Sequence, residues 1–460
     1  MNIIYMIKYR FLPKLKPNIF LLTIDSLRAD KIFGKNKSSI TPNIDFLINN
    51  GAYFKEAISS IDGTFTSLGS IFTAKYPFKT NITWSKNHNK ALGFFKSIKS
   101  YGYSKYLTAP NNAFFKTLSE DFEDKDLTSS TSYPGLWEGL GELILSRLDN
   151  GNMRSPWIFY SHIMDLHTLK PVPDEFNIPK YGKTEYDRRI SLIDVWLGKF
   201  LKKIDLSKTL VILTADHGEF VHDLDMHPDY VPTLQKFFRN GQKFTPKFLT
   251  PTGIKIFESL RTTIKKRRMT KHEKSLSVEE LRTLTERGRG ILFDEVLRVP
   301  LIFSGYGINE HSMITQQVRL VDILPTLESI IGTFHNQKID GRSLLPMING
   351  EIMDDLPAYI ESIPKLDDPV GDNIGIRTSQ YKYWRSRNNP KENVTLFDLE
   401  LDPLETTNIA NEQPSLISQL EQSLLEITSN PENYVDDDHD ELSEDEYIKT
   451  RNELKRLGYI

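Results

Sequence analysis

The chain has no cysteine among its 460 residues, which removes disulfides, thiolate metal sites and a cysteine nucleophile at once. It leaves the compartment open, because a secreted protein need not carry disulfides. A membrane-spanning run is missing too. The apolar start Met1-Asn2-Ile3-Ile4-Tyr5-Met6-Ile7 is broken by Lys8 and Arg10, far short of the ~20 residues that cross a bilayer. It also lacks a positive region ahead of the apolar part and a small-residue cleavage site. A cytoplasmic location is therefore expected, with this segment either packed on the domain edge or making a weak membrane contact. Net charge is the third shortage: 58 Lys and Arg against 61 Asp and Glu leave −3. No global field points to nucleic acid or to an acidic partner, and no specific nucleic-acid recognition is expected.

What is present supports a large core, since 39% of the residues are apolar and the length exceeds what one core usually fills. A large domain over residues 1–345 and a smaller C-terminal subdomain over 346–460 are expected. The strongest signals are short apolar runs without polar alternation, the pattern of strands covered on both faces of a parallel sheet. Ile19-Phe20-Leu21-Leu22-Thr23-Ile24 ends in Asp25, and Leu210-Val211-Ile212-Leu213-Thr214-Ala215 ends in Asp216-His217. Trp157-Ile158-Phe159-Tyr160-Ser161-His162 runs on towards Asp165 and His167, and a run from Ser104 ends near Asn111 and Asn112. Sites in such sheets form beyond the carboxyl ends of the strands, so these polar residues belong to one mouth if the strands are neighbours. Helical periodicity from Tyr186 to Leu201, leading into the Leu210 run, completes a strand–helix–strand unit. Thr41-Pro42 reads as an N-cap with proline at the first helical position. The loop Asp62-Gly63-Thr64-Phe65-Thr66-Ser67 runs into a helix, and its hydroxyls either cap that helix or attack and ligate.

Composition changes between residues 230 and 290, where Lys265, Lys266, Arg267, Arg268 and Lys271 accompany the helically spaced Ile254, Phe257, Leu260 and Ile264. This basic insertion is either a solvated face or a contact for an anionic polymer or lipid headgroup. The acidic run Asp436-Asp437-Asp438 reads as a hydrated linker, and His222 and His227 as surface histidines. Beyond about Ala358 the rhythm shortens to strand-like pieces at Tyr381-Lys382-Tyr383-Trp384 and Leu396-Phe397-Asp398-Leu399, followed by a helix from Pro414 to about Ile427. An antiparallel sheet is expected in this α+β subdomain.

Several blocks in order resemble the sulfatase family of the alkaline phosphatase superfamily. They are Asp25-Ser26-Leu27-Arg28-Ala29-Asp30, Thr41-Pro42-Asn43-Ile44-Asp45, Thr214-Ala215-Asp216-His217-Gly218-Glu219, Asp322-Ile323-Leu324-Pro325-Thr326, Asp340-Gly341-Arg342-Ser343-Leu344 and Leu396-Phe397-Asp398-Leu399. The resemblance implies an α/β, alkaline-phosphatase-like fold with a mainly parallel central sheet flanked by helices. It also implies a metal-dependent hydrolase of phosphate or sulfate esters with an anionic substrate. The family's Cys-x-Pro-Ser-Arg block, whose cysteine becomes formylglycine, falls on Thr64, with Thr66 in place of the proline, Ser67 matching and Leu68 in place of the arginine. No formylglycine is expected, and a threonine alkoxide favours phosphoryl chemistry.

The implied metal ligands are Asp25, Thr64, Asp216 and His217, around one divalent ion. A mixed oxygen and imidazole set favours Mn²⁺ or Zn²⁺, with Ca²⁺ as the alternative. Thr64 and His167 are the expected catalytic pair. Asn111, His162, Arg287 and Arg289 are the expected substrate contacts, the arginines by their phosphate-matching fork, although His162 reads equally as a core histidine. True sulfate-ester hydrolysis, transfer of the phosphoryl group to an acceptor and a non-catalytic anion-binding role remain the other readings. Oligomeric state is left open.

Overall fold

The computed structural model describes residues 16–80, 82, 93–129, 133–149, 151–167, 172–221, 282, 290–308, 311–333, 338–363, 372–429 and 448. The basic insertion apart from Arg282 and Gly290, with Arg287, Arg289, His222 and His227, lies outside the described residues, as does the acidic run at 436–441. Among the described residues no helix is long and apolar enough to cross a membrane.

Eight strands form the central sheet: β1 Asn18–Ile24, β2 Gly51–Ile58, β3 Ser104–Asn111, β4 Asp124–Ser129, β5 Trp157–Ile163, β6 Thr209–Thr214, β7 Arg298–Gly305 and β8 Ser312–Arg319. Their order is β4-β3-β5-β1-β6-β7-β2-β8. Every neighbouring pair is parallel except the two that involve β7. The carboxyl ends of β1, β2, β3, β5 and β6 therefore share one rim. The apolar runs became strands because both sheet faces are covered: β1, β5 and β6 are buried almost throughout. On one face Phe20 packs edge-on against Phe200 of the helix Glu185–Leu201, with ring centroids 6.4 Å apart. On the other Tyr160 packs edge-on against Phe72 of the helix Thr64–Thr73 at 5.1 Å. That helix thus lies over the same face and rim as its first residue, Thr64.

The expected N-cap at Thr41 holds in position but not in chemistry. The helix Pro42–Asn49 starts there, yet the Thr41 side chain makes no cap hydrogen bond. Instead the amides of Asn43 and Ile44 donate to the Asp194 carboxylate at 3.1 and 2.7 Å. A buried anion on the helix Glu185–Leu201 satisfies the orphan donors of another helix and locks the two together across the sheet face.

A second sheet has the order β12-β11-β10-β9, with β9 Ala358–Glu361, β10 Asn373–Arg377, β11 Tyr381–Ser386 and β12 Thr395–Asp398, all antiparallel. The helix Pro414–Thr428 covers it through Leu420 and Leu424. Buried charges bolt the two sheets together. Arg377 of β10 reaches Glu56 of β2 at 2.6 Å and Asp294 at 2.8 Å. Lys382 of β11 pairs with the same Asp294 and lies 2.7 Å from Glu405. Arg377, Lys382 and Glu405 are almost fully desolvated, so loss of one of their partners leaves an uncompensated buried charge.

Glu405 receives only a share of Lys382, and burial pushes its carboxyl from the ordinary 4.5 up to about 7 despite that ammonium. A carboxyl that binds its proton more tightly when folded adds stability below its unfolded value, and that stability is lost as pH rises through about 7. Wild-type stability measured in urea should therefore fall relative to Glu405→Gln between pH 4.5 and pH 8. Parallel pH profiles for the two proteins would exclude this account.

Candidate active site

Register assembles the site. Thr23 of β1 pairs with Thr214 of β6 and with His162 of β5. Side chains alternate along strands, so Asp25 and Asp216, each two residues beyond a paired threonine, emerge side by side on the face that carries His162. All three are buried, at 1%, 0% and 1% exposure, and one ligand atom from each lies within 4.8 Å of the others.

The electrostatics centre on Asp25. Burial alone raises its carboxyl, but His167, His162 and His217 outweigh that and hold it well below the usual carboxylate range. His162 Nε2 is 3.4 Å from Asp25 Oδ2, His217 Nε2 is 3.7 Å from Oδ1 and His167 Nδ1 is 4.0 Å from Oδ1. On Asp216, Oδ1 accepts the amides of His217 at 3.0 Å and Ser26 at 3.3 Å. Its Oδ2 is buried with no hydrogen-bond partner among the described residues. Nature rarely leaves a buried carboxylate oxygen without a donor or a cation. That oxygen and the cluster of oxygen and imidazole donors fit a divalent ion.

Thr64 completes the ring. It is the first residue of its helix, buried at 9% exposure, and its hydroxyl donates to Asp25 Oδ2 at 3.3 Å. Its Oγ1 also lies 3.2 Å from His217 Nε2. The His217 Nδ1 is 2.8 Å from the Gly218 carbonyl, which can only accept, so Nδ1 carries a proton and Nε2 is the nitrogen presented to the cluster. Gly218 is required here because a Cβ would stand 2.1 Å from the Glu295 carbonyl.

Ser67, the one residue that matches the nucleophile block outright, has a supporting role. Its hydroxyl donates to the Asp216 main-chain carbonyl at 2.6 Å, as does that of Ser59, also at 2.6 Å. His167 lies in the turn after β5, where Asp165 accepts from the Tyr133 hydroxyl and the Leu136 amide, both at 2.8 Å.

The structure thus brings together Asp25, Thr64, His162, His167, Asp216 and His217. Asn111 is the exposed last residue of β3, on the same rim but two strands from β1. Sequence reasoning missed Ser26, whose backbone adopts a left-handed φ of 67° and whose hydroxyl lies 2.9 Å from Asp25 Oδ1 and 3.4 Å from His167 Nδ1. Its adjacency to Asp25 was the available signal. Tyr133 and Ser59 carried none, because only the tertiary fold brings them near.

Comparison with known proteins places these residues in context. The sulfatase family model matches residues 17–333, and the model for the C-terminal part of N-sulphoglucosamine sulphohydrolase matches residues 288–430. Arylsulfatase K of Mus musculus is 32% identical over 146 residues, 30% of this chain and 26% of that protein. Choline-sulfatase of Rhizobium meliloti is 33% identical over 130 residues, 28% of this chain and 24% of that protein. These matched stretches span about a quarter of each relative. Among solved structures, the phosphonate monoester hydrolase of Agrobacterium radiobacter aligns with a TM-score of 0.63 at 15% identity, over 90% of this chain and 96% of that one. A protein solved with its substrate D-glucosamine-2-N,6-O-disulfate also gives 0.63, at 16% identity over 91% and 99%. These likenesses establish the alkaline-phosphatase-like fold.

If Asp216 Oδ2 is the oxygen of a cation site, Asp216→Asn should lower divalent-ion affinity at least about tenfold, judged by the 10–100-fold losses seen for outer-shell changes alone. Metal content after dialysis, measured with circular dichroism to confirm folding, tests this. A folded variant with wild-type metal content would refute it.

Proposed function

Since the chain belongs to the sulfatase family, we propose that it is a metal-dependent hydrolase of phosphate esters with Thr64 as its nucleophile. The observation that carries this reading is the position of the Thr64 hydroxyl, 3.3 Å from Asp25 and 3.2 Å from His217, in a chain with no cysteine from which formylglycine could be made. Asp25, Thr64, Asp216 and His217 would hold one ion. Bound there, it supplies a lowered pKa for the threonine hydroxyl and charge neutralisation on the ester.

The chain's own residues account for the rest. Thr64 gives up its proton to solvent, and Oγ1 then attacks phosphorus as the bond to the leaving oxygen breaks. His167, whose imidazolium the neighbouring Asp25 carboxylate stabilises, protonates that leaving oxygen. The phosphothreonine is next attacked by water, with neutral His167 taking the proton; the Thr64–phosphorus bond breaks, and the departing Thr64 alkoxide takes a proton back from solvent. Ester and water thus yield alcohol and phosphate. Asp165 and Tyr133 hold the His167 turn in place for both steps.

A second reading, sulfate-ester hydrolysis, is favoured by the names of the relatives, an arylsulfatase and a choline-sulfatase. Parallel assays of aryl phosphate, phosphodiester, phosphonate and sulfate separate the two. Phosphate-ester kcat/KM should exceed that for sulfate, and Thr64→Ala should lower it by about three orders of magnitude or more, as loss of a nucleophile does elsewhere. Faster sulfate turnover would favour the second reading, and full activity in Thr64→Ala would remove Thr64 from the chemistry.

A further inference from the structure

His162 enters the cluster from β5, on the opposite flank of β1 from His217. Its side chain has 0% exposure and its Nε2 faces Asp25 Oδ2 at 3.4 Å. A charge-assisted hydrogen bond between imidazole and carboxylate closes to roughly 2.7–2.9 Å, so this contact is too long to be the reason for burying the pair. The separation has another meaning. Donor atoms sharing one ion at ~2.0–2.2 Å stand roughly 2.8–3.6 Å from each other along the edges of a tetrahedron or octahedron. Four contacts in the cluster have that spacing: His162 Nε2 to Asp25 Oδ2 at 3.4 Å, Thr64 Oγ1 to Asp25 Oδ2 at 3.3 Å, Thr64 Oγ1 to His217 Nε2 at 3.2 Å and His217 Nε2 to Asp216 Oδ2 at 3.5 Å.

The other side of the His162 ring is also specified. Its Nδ1 lies 3.2 Å from the Tyr160 hydroxyl, two residues earlier on the same face of β5, and Tyr160 is fully buried. Phe115 closes the ring in, with centroids 4.8 Å apart. If Nδ1–H donates to that hydroxyl, Nε2 is left with a lone pair facing Asp25, the arrangement an outer partner imposes on a metal-binding histidine.

We infer that His162 is a ligand of the ion held by Asp25 and Asp216 and that Tyr160 orients it. Two imidazoles and two carboxylates then select Zn²⁺ or Mn²⁺ over Ca²⁺, which prefers oxygen alone. This rests on the cation site in the proposed function and adds a protein ligand to it. Chelator-stripped full-length protein would be titrated with Zn²⁺, Mn²⁺ and Ca²⁺ against a colorimetric chelator, for wild type, His162→Gln, Tyr160→Phe and the remote control His311→Gln. Zn²⁺ and Mn²⁺ affinity should fall by about 100-fold or more in His162→Gln and about tenfold in Tyr160→Phe, and stay unchanged in the control. Pulsed EPR of the Mn²⁺-loaded protein should detect two imidazole nitrogens in wild type, two in His167→Gln and one in His162→Gln.

Unchanged affinity and nitrogen count in His162→Gln would overturn the inference, as would wild type binding Ca²⁺ more tightly than Zn²⁺. If His162→Gln fails to fold, wild-type affinity in Tyr160→Phe overturns it instead. A wild type that binds its ion through two imidazoles but hydrolyses no phosphate ester would defeat the Thr64 reading alone.

Discussion

The structure depends on keeping one carboxylate, Asp25, ionised at the buried end of its central strand. Burial works against that charge, and the histidines around it outweigh burial. An arrangement of this kind cannot be built from one segment. It needs neighbouring parallel strands in register, so that His162 on β5 and Asp216 beyond β6 arrive level with the end of β1. It also needs a helix aimed at the same point, so that Thr64 closes the ring.

Much of the surrounding structure holds that geometry. Ser59 and Ser67 both donate to the Asp216 carbonyl, and the loop after Asp216 is laced to residues 295 and 296 by the Glu219 and Gly218 amides. The same 294–297 segment supplies Asp294, the anion that binds Arg377 and Lys382 of the second sheet. The second sheet therefore reaches the rim that carries the candidate site through short, charged contacts. It also touches the loop before Thr64 directly: Ile61 bridges Glu361, Asp62 accepts the Ile363 amide at 3.0 Å, and Gly63 has no room for a Cβ against Ile363. The two sheets are thus tied together by these contacts although each has its own hydrophobic cluster.

Legibility followed burial. The apolar runs of β1, β5 and β6 were readable because strands covered on both faces must be continuously apolar. The edge strands were not. β4 reads Asp124-Lys125-Asp126-Leu127-Thr128-Ser129 and β8 is half polar, since an outermost strand meets water and carries charges that block further pairing. β2, next to β7, carries an irregularity between Phe54 and Ala57 that disrupts its pattern. At Thr41 the boundary was legible and the bonding was not, because the competing acceptor, Asp194, is about 150 residues away in the chain.

By itself the sequence marked Asp25, Asp216 and His217, ligand-type residues directly after apolar runs, as candidates, and its resemblance to the sulfatase family added Thr64 and His167. It also determined the exclusion of thiol chemistry. Only the tertiary structure decided how those residues are shared out: Ser67 turned to a main-chain carbonyl, Ser26 between Asp25 and His167, and His162 beside the carboxylates with Tyr160 at its back. Those assignments depend on distances of 2.6 to 3.4 Å between residues from different elements. Such distances come from strand register and helix aim, which no single stretch of chain contains.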